Sequence, residues 1–130
     1  MAGSFKFELV IPERMALSGE AAQVVVPGVE GEFTVLPGHA PVLSALRPGV
    51  IEVHLADART RRIFVKGGIA ELEGDRLTVL AERALDEEAM DAATITAEIE
   101  AAEAELAAAS DDAARHAAAT ALERLRALRR

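Results

Sequence analysis

The apolar positions of this chain change period partway along it. Near the start they alternate. In Phe5-Lys6-Phe7-Glu8-Leu9 the apolar side chains fall on one face of an extended strand and the charges on the other. Ile51-Glu52-Val53-His54-Leu55 repeats that pattern. Val24–Val26, Phe33–Leu36 and Arg62–Val65 are short β-branched or aromatic runs suited to strands. Leu72-Glu73-Gly74-Asp75-Arg76-Leu77 reads as a tight hairpin, and Ala56–Thr60 as a second turn. Strands and turns at this spacing predict an N-terminal antiparallel β-sandwich or flattened barrel.

Beyond Leu85 the period becomes helical. Ile95, Ile99, Ala102 and Leu106 make one apolar stripe, and Ala114, Ala118, Ala121, Leu122, Leu125 and Leu128 another. Ser110-Asp111-Asp112 interrupts the run with residues that cap helices. Two helices, near 87–108 and 112–129, are expected to fold into an antiparallel hairpin. All nine Gly and all five Pro lie at or before Gly74, so turn chemistry stops where the helical pattern begins. The expected division is a β-sandwich domain over 1–84 and a helical hairpin domain over 85–130.

Composition refines this picture. Residues 85–130 hold 17 Ala, the strongest helix former. An Ala-rich face buries little area, so a loosely held, movable hairpin is expected. Aromatics are 3% of the chain, which leaves few anchors for a ligand or a base. A net charge of −8 argues against nucleic acid and against an anionic membrane surface. The absence of Cys excludes disulfides, thiolate catalysis and Cys-based zinc sites. No apolar run approaches the roughly 20 residues of a membrane span, and the first ten residues lack a signal-peptide core. A soluble, unexported chain is expected.

Candidate chemistry is sparse. His39, His54 and His116 are scattered without ligand spacing, so no metal site is expected. No serine sits in a nucleophile elbow, and a Ser44/His39 dyad lacks an orienting acid by motif. Gly31–Pro41 lacks the Gly-Lys-Ser/Thr end of a phosphate loop. No catalytic residue and no cofactor are expected. Residues 86–105 carry eight acids and no base, whereas residues 113–130 carry five Arg and one acid. The arginine-rich end reads either as a solvated helix terminus that offsets the dipole or as a dock for an acidic partner. Arg115, Arg126 and Arg130 fall on one side of the apolar stripe.

The segment from Gly31 to Gly49 reads GEFTVLPGHAPVLSALRPG, with three Pro and three Gly in 19 residues. It resembles the signature of the epsilon-subunit family of bacterial F-type ATP synthase (delta in mitochondria), which reads G-E-x-x-x-L-P-G-H-A-P-L-L-T-x-L-x-P-G. Phe7–Pro12, the Phe64–Gly68 turn and Leu77–Glu82 match as well. The resemblance covers the whole chain, most specifically residues 5–84. It implies a sandwich and hairpin in a non-catalytic central-stalk rotor subunit, coupling proton-driven c-ring rotation to ATP synthesis. It also implies a peripheral place on the cytoplasmic face of the bacterial inner membrane. In the family the loop at Glu30, Gly31 and Glu32 lies against the c ring, and the region of His39, Pro41, Leu43 and Ser44 lies near gamma.

Some members insert the hairpin into the catalytic head and inhibit ATP hydrolysis, with basic residues meeting the beta subunit. Arg115, Arg124 and Arg126 stand where that contact would be made. Some also bind ATP through an Ile/Leu-Asp-x-x-Arg-Ala motif. Here Met90-Asp91-Ala92-Ala93-Thr94-Ile95 keeps Asp91 but has Thr94 where the Arg would be, and the register from Leu85 also lacks it. Without that cation tight ATP binding is not expected. The competing readings are an unrelated protein-binding adaptor and an enzyme with an unrecognised site.

Overall fold

Alternation in the first third of the chain becomes a pair of long strands. β1 (Phe5–Ile11) and β2 (Arg14–Gly28) pair antiparallel. The computed structural model describes residues 3–86 and 91–128. β3 (Gly31–Val35), β4 (Val42–Ala45), β5 (Gly49–Leu55), β6 (Thr60–Glu73) and β7 (Arg76–Asp86) complete the sandwich. The sheet runs β1-β7-β6-β5-β2-β3, and β1 also pairs β2. Five strands therefore close on themselves, while β3 extends β2 and β4 pairs β6. The two hairpins expected from sequence are present: Gly74, at φ +62, turns β6 into β7, and Ala58, at φ +76, turns β5 into β6.

Three expectations are corrected. The sandwich is mixed, because β1 runs parallel to β7 while its other pairings are antiparallel. Strands so far apart in sequence are joined by a long path, which leaves the direction of pairing free. The Phe64–Gly68 segment is a bend inside β6. The β6–β7 ladder continues across it, while the opposite edge changes partner from β5 to β4. Gly67 and Gly68 take φ +71 and +124 there. The turn-rich Gly31–Gly49 segment holds, besides β3 where Phe33–Leu36 was expected to be a strand, a second strand, β4, that was not expected; Pro37-Gly38 splits the two.

The interior is mostly aliphatic, as the composition required, with Phe5 and Phe7 among its members. Phe7, Leu9, Val24, Val26, Val35, Ile51, Val53, Val65, Leu77 and Val79 are fully enclosed. The residues between them along each strand point outward.

The hairpin consists of α1 (Ala92–Ala108) and α2 (Asp112–Leu128). Asp91 caps α1, its carboxylate accepting the Thr94 N–H at 2.8 Å, and Asp111 accepts the Ala114 N–H at 2.7 Å at the start of α2. The expected start of the first helix at 87 lies outside the described residues. The hairpin lies on the sandwich. Val50, Phe64 and Leu85 form one cross-strand row on the outer face of β5, β6 and β7. They pack with Ile95, Ile99, Ala102, Leu122 and Leu125 in a second apolar cluster, where Phe64 is 2% exposed. The helical stripes alone suggested a weak hold; the sandwich contributes the missing apolar area. Leu106 is half-buried and Ala114 is exposed, so each expected stripe is buried only in part.

Candidate functional site

The Gly31–Gly49 signature folds around a groove of about 530 Å³. Glu30, Gly31, Glu32 and Phe33 form one wall; His39 and Val42–Ala45 form the other. Thus six of the expected contact residues (Glu30, Gly31, Glu32, His39, Leu43 and Ser44) meet in one place, although up to 14 positions separate them. Pro41 is exposed on the loop leading into β4 and is not part of the wall. Backbone geometry draws the walls together. Val29 donates to the Ala45 carbonyl at 2.9 Å, and Arg47 to the Pro27 carbonyl at 3.0 Å. Gly28 has no room for a side chain, because a Cβ there would stand 2.9 Å from the Gly31 oxygen and 3.0 Å from Ser44 Oγ.

The Ser44 and His39 side chains of the groove are tied to the backbone. Ser44 Oγ donates to the Ala45 carbonyl at 2.9 Å, and His39 Nδ1 donates to the Ala40 carbonyl at 2.6 Å. His39 is thereby held as part of the loop rather than aimed at Ser44. Among the described residues, no cluster of three His, Asp or Glu could hold a metal ion. What the groove offers is the two carboxylates of Glu30 and Glu32 beside the exposed Leu43.

Next to the groove lies an apolar row that sequence reading missed. Ala45, Ile69, Leu80, Val10 and Met15 are successive cross-strand neighbours over five strands. Ile69 is 40% exposed, Leu80 45%, Met15 48% and Leu43 67%. A signal for it was present. Leu77, Val79 and Ala81 point inward, so Leu80 is an apolar residue in a position the alternation reserves for polar ones. Val10 and Ile69 break phase in the same way.

The other expected residues are dispersed. Arg115 pairs with Asp112 at 2.8 Å and Arg126 with Glu103 at 3.1 Å, the latter joining the acidic helix to the basic one. Arg124 lines a cleft of about 250 Å³ with Pro27, Glu32, Arg47 and Val50. Arg130 and Met90 lie outside the described residues. Asp91 serves as the α1 cap, and the N–H of Thr94 holds its carboxyl below the usual carboxylate value. On the far face, a bond from His54, opposed by burial and aided by Arg62, does the same for Glu52. No described helix is long and apolar enough to cross a membrane.

Comparison with known proteins gives this architecture a lineage. The sequence model of the family described as "ATP synthase, Delta/Epsilon chain, beta-sandwich domain" matches residues 4–87. The ATP synthase epsilon chain of Parvibaculum lavamentivorans is 54% identical over 82 residues, covering 63% of this chain and 62% of that protein. That of Rhodospirillum rubrum is 52% identical over 86 residues, covering 66% and 64%. The chain thus spans less than two thirds of the length of these relatives. A chain of the Euglena gracilis mitochondrial ATP synthase OSCP/F1/c-ring structure superposes with a TM-score of 0.74 at 24% identity, covering 97% of this chain and 79% of its own. One from the Tetrahymena thermophila mitochondrial ATP synthase central stalk and c ring gives 0.62 at 14% identity, covering 95% and 92%. At these identities the likeness is one of fold. With its sandwich matched almost end to end, this chain belongs to the ATP synthase delta/epsilon chain family.

Proposed function

We propose that this chain is a non-catalytic central-stalk subunit of an F-type ATP synthase, coupling c-ring rotation to ATP synthesis. The observation that carries the reading is the convergence of the family signature on one acidic groove beside an exposed apolar row. A surface of that kind suits a permanent protein partner: the apolar row supplies area, and the carboxylates supply orientation. In this reading the row and the His39, Pro41, Leu43 and Ser44 wall receive gamma, and Glu30, Gly31 and Glu32 face the c ring. The sandwich, through the end of β7 at Asp86, two residues past the expected boundary at 84, acts as the docking domain, and the helical hairpin as an appendage that can be released. Arg115, Arg124 and Arg126 reach the beta subunit when the hairpin leaves the sandwich, and this contact restrains ATP hydrolysis. Because Arg115 and Arg126 are paired within the chain, that contact requires an exchange of partners. The subunit sits peripherally on the cytoplasmic face of the membrane through the complex.

Co-expression with gamma and c subunits tests the assignment. The wild-type chain should co-purify with both. Ile69→Asp combined with Leu80→Asp should lose gamma by about 100-fold in affinity while leaving the far-ultraviolet circular dichroism unchanged, since two central apolar contacts become buried charges. Undiminished gamma capture by that variant would remove the row from the gamma contact, and no capture of gamma or c by the wild type would reject the stalk assignment.

A further inference from the structure

Beside the apolar row under the hairpin, the sandwich carries a pair of cations. Lys66 of β6 and Arg83 of β7 are direct cross-strand partners, two residues along from Phe64 and Leu85 on the same face. Like charges in that position repel each other, so by themselves they weaken the sheet. The hairpin neutralises both. Arg83 Nε donates to the two carboxylate oxygens of Glu98 at 3.0 and 2.9 Å, and its Nη2 also reaches Oε2. Lys66 Nζ binds Glu105. Glu98 is 7% exposed, the one buried charged residue among those described.

We propose that Lys66 and Arg83 form a receptor for the acidic rank of α1, and that Glu98 and Glu105 fix the register in which the hairpin docks on the sandwich. The spacing carries the argument. Glu98 and Glu105 are seven residues apart, two turns along one helix face, and they flank the apolar residues that cover Phe64. A slip of one turn in either direction would present Thr94 or Ala102 to Arg83, and neither is an acid. The apolar contact, by contrast, is built from Ile, Leu and Ala and tolerates small shifts. Only the Glu98 side of the pair is buried, the Arg83 side chain being 60% exposed, so the contact adds little stability and does more to select one arrangement, while losing Arg83 would strand a buried carboxylate. The field at Arg83 agrees: Glu98, through its bonds and then its charge, raises the guanidinium pKa against a small cost of burial, with Glu105 and Glu13 adding to it. The receptor belongs to the strands and the acids to the helix, so the contact separates cleanly if the hairpin leaves.

Hydrogen exchange by mass spectrometry on the full chain tests this without a partner. Glu98→Gln should speed exchange of α1 and α2 amides about tenfold, leaving the strands of the sandwich protected. Glu100→Gln, an exposed acid on the same helix, should change nothing. The reversal Arg83→Glu with Glu98→Lys should restore protection well beyond the product of the two single effects. If a single variant unfolds the chain, the reversal still decides, because rescue supports the latch and failure to rescue overturns it. Unchanged helix protection in Glu98→Gln, or an equal loss in Glu100→Gln, would also overturn it.

Discussion

At Gly68 the backbone sits at φ +124, and a Cβ there would stand 1.9 Å from the Leu80 carbonyl oxygen. Both the angle and the contact exclude a side chain. Gly74 also has a positive φ, +62, but open space around it. The two positions separate strain from collision. Gly74→Ala should cost about 1 kcal/mol, the usual cost of a left-handed residue. Gly68→Ala should cost at least about 3 kcal/mol, because the β6–β7 ladder must open to admit the methyl group. Urea unfolding of both variants checks the ratio; equal midpoints would mean that the bend relaxes freely. From sequence the Gly67-Gly68 pair read as a turn. Glycine signals a special backbone angle without saying whether the chain reverses or merely bends, and that depended on which strands lay alongside.

At the level of elements, Asp91 shows how one side chain starts a helix. Asp91 accepts the Thr94 N–H and closes the first turn of α1. Its pKa is lowered by that bond, so the cap's contribution is fully present above the unfolded-state value of about 3.9. It is lost as pH falls through the folded-state value. The first turn of α1 should therefore fray in acid, and Asp91→Asn, which still accepts a hydrogen bond, should lose the pH dependence while keeping most of the helix. Amide exchange at Thr94 and Ile95 from about pH 5 down to about pH 2 measures this; a first turn indifferent to pH would count against the cap. The helices, their break at 110–112 and six of the seven strands were legible in sequence, because period and turn residues are local signals. β4 was not, since four residues flanked by prolines carry too little pattern to separate a strand from a loop.

On the scale of the molecule, the hairpin covers apolar surface that the sandwich could not leave bare. Phe64 belongs to the cluster shared with the helices, whereas the sandwich has a core of its own. β7 runs to Asp86, so a chain ending there keeps the strand whole. Such a chain should remain folded but self-associate through the exposed Val50, Phe64 and Leu85, and adding Phe64→Ser should return it to a monomer. Sedimentation of the two chains checks this. If the hairpin restrains the assembled enzyme, the same truncation should raise its rate of ATP hydrolysis, and an unchanged rate would remove that role from the hairpin.

By itself the sequence determined the two-part architecture, the aliphatic core, the absence of a recognisable catalytic motif and the resemblance of the Gly31–Gly49 signature. Those follow from period, composition and local turn chemistry, which act over a few residues. Tertiary structure alone decided that Glu30, Glu32, His39 and Ser44 share one groove, that Leu80, Ile69 and Val10 align into an exposed row, and that Glu98 meets Arg83. Each of these depends on strand register and on helix placement. Such contacts join residues that are distant in the chain, and no local preference encodes the alignment that brings them together.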